Sequence, residues 1–240
     1  MNRTPINAAM AILAAMILTS PARSHDGEGA LGKVHFPTSC TPAAQGHFDQ
    51  AMVYQHSFWY SGARRAFEEA LQADPGCAVA YWGIAQSLLA NPFNPTPPKN
   101  LADGLAAIQK AKAMGAKTPR ENDFIAAIGE YFTDFEKLDQ RTRAQVYVAA
   151  MDQIAQRYPD DDETQIYLAL ALNIAASPSD KTYANQLRAA AILEPIFNRQ
   201  PHHPGAAHYL VHTYDYPPIA QRGLAAAKRY AEIAEAAPHA

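Results

Sequence analysis

One spacing constrains this chain more than any other feature. In the segment SGARRAFEEALQADPGCAVAYWGIA, Ala63 is followed by Phe67 four residues later, by Ala70 three after that, and by Pro75 five beyond. The pattern suits two antiparallel helices in close contact. Small residues let the backbones approach and the aromatic ring fills the seam. The proline, lacking an N–H and clashing with the preceding turn, stops the second helix before a third begins. The same register recurs, less faithfully, as Ala226, Tyr230, Ile233, Pro238; as Ala189, Leu193, Ile196, Pro201; and as Tyr147, Met151, Ile154, Pro159. The interval between the prolines is not constant, and Asn91 to Lys137 follows the register least well.

These residues resemble the tetratricopeptide repeat (TPR). The segments HFPTSC, DPGCAVAYWGIA and HPGAAHYLVHTYD are similar to those of exported bacterial TPR proteins of unsettled function. The resemblance implies an all-α fold, a right-handed α-solenoid of about five antiparallel helix hairpins, and carries no catalytic residue across. Helices are expected near 42–58 and 60–73, 76–90 and 100–114, 119–133 and 139–157, 162–176 and 180–199, then 204–214 and 219–235. Thr118, Pro119 and Glu121 predict a capping-box start for the fifth. Pro195 predicts a kink in the eighth. The stretch NPFNPTPPKN, residues 91–100, is expected to be an extended connection, either a rigid spacer or a strap reaching over the inner face. Relatives of this kind continue into further hairpins, which implies an array cut short at Ala240; the charged face of Arg222, Lys228, Arg229, Glu232 and Glu235 fits a natural end equally.

Ahead of the repeats, Arg3 precedes an apolar run from Ala8 to Leu18, and small residues follow at Ser20, Ala22 and Ser24. That is the pattern of a signal peptide over 1–24, too short and too flanked by small residues for a membrane anchor. It predicts a periplasmic or secreted protein with no integral membrane segment in the mature chain, an extended segment over 25–41, and a repeat domain over 42–240. In that compartment Cys40 and Cys77 are expected to pair as a disulfide. The formal charge of -3, with basic residues scattered among acidic ones, offers no stripe for a phosphate backbone, so nucleic acid is not an expected partner.

In a TPR array the first helix of each hairpin lines a concave surface, and the register places Phe48, Met52, Gln55, Trp82, Gln86, Ile166, Leu170 and Asn173 there. Such a groove predicts a scaffold for a protein or peptide partner; the competing reading is that these residues pack against the N-terminal segment or a neighbouring hairpin. The last hairpin suggests a different chemistry. His208, His212 and Asp215 stand four and three residues apart, so a helix would place two imidazoles and a carboxylate on one stripe, a ligand set for zinc or copper. His202, His203 and His239 flank it in turns. A metal-binding protein or a metal-dependent hydrolase is therefore the alternative to the scaffold. Tyr209 stands where a zinc protease carries its glutamate, and neither a nucleophile elbow nor a phosphate-cradling glycine loop is present, so no catalytic residue is assigned and no cofactor is expected beyond that ion. His47 is expected to be a core residue, His56 to be on the surface, and His25 and His35 to have no role.

Overall fold

The computed structural model describes Met1, residues 31–91 and residues 93–238. Residues 2–24 of the expected signal peptide, His25 and His239 lie outside them. Among the described residues the chain is all-helical, with α1 (Pro42–His56), α2 (Tyr60–Ala73), α3 (Ala78–Leu88), α4 (Pro98–Met114), α5 (Pro119–Phe132), α6 (Gln140–Arg157), α7 (Asp162–Ile174), α8 (Ala184–Arg199), α9 (Pro204–Tyr214) and α10 (Leu224–Ile233). A 3₁₀ turn, Ala220–Gly223, leads into α10. Among these residues no helix is long and apolar enough to cross a membrane.

The helix ends follow local chemistry. Thr118 accepts from the Glu121 N–H while the Glu121 side chain reaches back to the cap, the reciprocal box expected at α5. Asp161 caps α7, and the His203 ring caps α9 by accepting from the Ala206 N–H at 3.2 Å. α4 begins at Pro98, two residues earlier than the proline count suggests, because proline is well tolerated at the first helical position. The residues of 180–183 are not helical, so α8 starts later than expected; it continues through Pro195.

Each helix packs against its neighbours in sequence, and the seams carry the small-and-aromatic chemistry read from the repeat. A Cβ added to Gly83 of α3 would lie 2.3 Å from the Phe67 ring of α2, so glycine is what lets that ring close the seam.

The odd-numbered helices do more than stack. α1 touches α3, α3 touches α5, and α9 touches both α7 and α1. Their inner stripes meet in one aromatic core. Trp82 of α3 lies 5.2 Å from Phe124 of α5, 5.1 Å from Tyr167 of α7 and 6.4 Å from Phe48 of α1.

The segment ahead of α1 seals this core rather than trailing from it. Phe36 is fully buried, with its ring 5.2 Å from each of Phe48, Trp82 and Phe124, and the Arg120 guanidinium lies over it at 4.1 Å. Ser39 donates twice to Glu121, the Thr41 N–H donates to Asp74, and the Lys33 N–H donates to the His202 carbonyl. Cys40 and Cys77 form the expected disulfide, with a Cα separation of 5.0 Å, fixing the segment to the start of α3.

This packing corrects the groove. Phe48, Met52, Gln55, Trp82, Gln86, Ile166, Leu170 and Asn173 are all buried, none more than 4% exposed, so a peptide does not reach them in this arrangement. The physical cause is that α1 meets both α3 and α9 while Phe36 packs among α1, α3 and α5, turning the surface expected to be concave into interior. The competing expectation, packing against the N-terminal segment, describes Phe48 and Trp82.

Candidate functional site: a buried histidine cluster

The end of α1 and the start and middle of α9 bring four histidines together. His56 lies eight residues after Phe48 and four after Met52, on the inward stripe of α1, so it is fully buried rather than at the surface as expected. His47, one residue before Phe48, faces outward beside Glu69, which reverses its expected core position. His35 is exposed and bonded to Asp49, and His202 is exposed, its carbonyl accepting from the Lys33 N–H.

His56, His203 and Glu163 form the deepest part of the cluster. Glu163, in the first turn of α7, receives His56 Nε2 at 3.0 Å on one oxygen and His203 Nε2 at 2.8 Å on the other. His56 Nδ1 lies 3.0 Å from the Tyr209 hydroxyl. Gly205 makes room for this ring, since a Cβ there would fall 2.4 Å from His56 Nδ1.

The ligand atoms of these three residues lie within 4.8 Å of one another, a spacing that admits a cation. The proton inventory argues for a hydrogen-bond network instead. His203 Nδ1 accepts an N–H, so its proton is on Nε2 and is donated to Glu163, which removes Nε2 as a neutral metal ligand. Burial holds His56 below its ordinary imidazole value, against the opposing pull of Glu163. Burial alone would raise the Glu163 carboxyl, but the two imidazoles outweigh it and hold the group below the usual carboxylate range. An ionised Glu163 accepting two N–H groups, with the Tyr209 O–H donating to His56, satisfies every polar atom of the network.

Glu163 and His203 also border a surface depression of about 400 Å³ lined with Asp160, Asp161, Asp162, Arg120 and Gln200. Its acidic character is largely spent within the chain: Asp161 pairs with Arg120, and Asp162 with Arg199 and Gln200.

One turn further along α9, His208 and His212 occupy the stripe expected of them. Their Nε2 atoms are 3.0 Å apart. His208 is buried, and its Nδ1 lies 2.6 Å from the His56 main-chain carbonyl, to which it donates. That bond fixes the tautomer: with the proton on Nδ1, Nε2 of the neutral His208 ring accepts from His212 Nε2–H. Aromatic rings wall the pair. Phe58 lies 4.3 Å from His208 and 5.3 Å from His212, Tyr230 stacks on His208 at 4.5 Å, and Phe93 lies 4.8 Å from His212. Phe93 belongs to the proline-rich connection between α3 and α4, which thus reaches over the histidine pair.

Asp215 does not complete the set. It is exposed at the C-cap of α9 with φ -73° and ψ 53°, and leaving the helical path takes it off the stripe that spacing alone predicts. His203 joins Glu163 rather than the pair. Sequence reasoning missed Glu163 altogether; its one signal was a carboxylate directly after the Asp161 cap and its neighbour, where a helix enters the core.

The chain matches no model of a known protein family, no curated protein and no solved structure.

Proposed function

We propose that this chain is an exported, TPR-like helical-repeat protein that binds a divalent transition-metal ion, zinc or copper, through His208 and His212. The observation that carries the reading is the pairing of the 2.6 Å bond from His208 Nδ1 to a main-chain carbonyl with an Nε2–Nε2 separation of 3.0 Å. Imidazole ligands characteristically donate their second nitrogen to a carbonyl or carboxylate, which orients the ring and sharpens its basicity. Two nitrogens each about 2.0 to 2.1 Å from one ion are separated by about 2.9 Å at a right angle and about 3.3 Å at the tetrahedral angle, so the pair chelates with a small shift once the His212 proton, donated from Nε2 to His208 in the ion-free chain, moves to Nδ1.

Export is supported by the apolar run at Ala8–Leu18 and by the Cys40–Cys77 disulfide, a bond that persists in oxidising compartments. The solenoid reading is supported by neighbour-to-neighbour helix packing and by the Phe67–Gly83 seam.

Protein purified without chelator is predicted to carry about one equivalent of metal per chain, and His208→Ala combined with His212→Ala is predicted to abolish it while the far-ultraviolet circular dichroism spectrum is retained. Wild-type protein that neither retains nor takes up zinc or copper contradicts the proposal.

A protein or peptide partner remains a second reading, on a different surface from the one expected. Leu71, Tyr81 and Ile84 line a depression of about 480 Å³ between α2, α3 and α4, rimmed by Arg64, Glu68, Asp103 and Lys110. Apolar side chains within a mixed-charge rim suit an amphipathic segment. Tyr81→Arg would abolish such binding, whereas Trp82→Ala would act only by weakening the fold.

A further inference from the structure

His56 is engaged at both ends. Its ring sits in the Glu163 network, and its main-chain carbonyl holds His208. It is also the last residue of α1, from which the chain passes Ser57 and turns at Phe58 with φ +53°, a left-handed conformation for a non-glycine residue. Left-handed backbone is unfavourable at such a residue, because Cβ crowds the following carbonyl, and it persists where the surroundings over-determine it. This turn delivers the Phe58 ring to the histidine pair. Whatever fixes His56 therefore fixes both the acceptor and one wall of the pair.

Glu163 is the group that fixes it. The carboxylate arrives from α7, a different part of the chain from either α1 or α9, and is 5% exposed. By accepting from His56 Nε2 it sets that ring as the Nε2–H tautomer, leaving Nδ1 to accept from Tyr209, the residue next to His208. His203, its second donor, caps α9. One carboxylate thus ties the end of α1 to the first turn of the helix that bears both proposed ligands.

We infer that Glu163 is a positioning residue for the His208–His212 site, acting through His56 and Tyr209 without touching the ion. The inference rests on the metal reading given above. Removing the carboxylate's charge leaves two buried N–H donors with a poorer acceptor, lets the His56 ring turn, and moves the carbonyl that orients His208. Groups that orient metal-binding histidines typically change affinity by about 10 to 100-fold when replaced, and Glu163 is expected at the lower end, since it acts through His56.

The test is a copper(II) titration of wild type, Glu163→Gln and Tyr209→Phe, with affinity measured by calorimetry against a competing chelator and coordination by electron paramagnetic resonance. Thermal melts report stability in parallel. Wild type is expected to bind one ion, Glu163→Gln to bind about tenfold more weakly with an altered copper spectrum, and Tyr209→Phe to shift both in the same direction by less. A merely structural role lowers the melting temperature and leaves the folded protein's affinity and spectrum as in wild type; that result overturns the inference while the metal reading stands. Absence of copper binding by wild type overturns both. If Glu163→Gln does not fold, Tyr209→Phe, which lacks a single oxygen, decides the matter by the same criterion.

Discussion

Replacing Gly205 with alanine is the smallest change that probes the histidine network. The new Cβ would lie 2.4 Å from His56 Nδ1 and 2.7 Å from Cγ, distances that real side chains do not show. The His56 ring cannot yield cheaply, because it is fully buried and held at 3.0 Å by both Tyr209 and Glu163. Displacing it forfeits one bond to a charged acceptor, about 1.5 to 3 kcal/mol, and one neutral bond, about 1 kcal/mol. Alanine's better helix propensity returns up to about 1 kcal/mol. The net loss is about 1.5 to 4 kcal/mol, which for a domain of this size lowers the melting temperature by about 3 to 16 °C. Thermal unfolding followed by circular dichroism measures it. The decisive control is His56→Ala, in whose background Gly205→Ala should cost far less, a coupling that a double-mutant cycle isolates. A melting temperature unchanged by Gly205→Ala, or a penalty that persists in full without the His56 ring, would refute the steric reasoning.

Acid should weaken the fold through the same residues. The native chain holds both His56 and Glu163 below their ordinary values, so on acidification the unfolded chain binds protons first and stability falls. The melting temperature is expected to be highest above about pH 6.5, the ordinary imidazole value, and to decline below it; His56→Gln should flatten the upper part of that decline, and a flat profile between pH 6.5 and 5 in the native sequence would count against the account. In the core, Trp82→Ala removes a ring packed against Phe36, Phe48, Phe124 and Tyr167 and is expected to cost about 3 to 5 kcal/mol in urea unfolding. A cost below 1 kcal/mol would mean that Trp82 is not at the centre of the interior.

The helical class and most helix positions were legible in the sequence because they depend on local chemistry. The Ala63–Phe67–Ala70–Pro75 spacing and the Thr118–Glu121 box each act within a turn or two of helix, and the structure places α2 and α5 accordingly. How the odd-numbered helices meet one another was not legible. That depends on α1 meeting α9 and on Phe36 inserting among α1, α3 and α5, contacts that join separate parts of the chain, which is why side chains assigned to an open groove are buried. The candidate site divides along the same line. His208 and His212 share a helix face by spacing alone, whereas His56 and Glu163 come from α1 and α7 and are united by tertiary packing. Asp215 failed because the i+3 rule holds only while the helix continues.

The most direct measurement is anomalous X-ray scattering from crystals of the protein equilibrated with zinc. The account predicts a single strong peak bonded to Nε2 of both His208 and His212, with His56, Glu163 and His203 still hydrogen-bonded to one another. A peak within the Glu163 cluster, or zinc bound only at surface carboxylates, would contradict it.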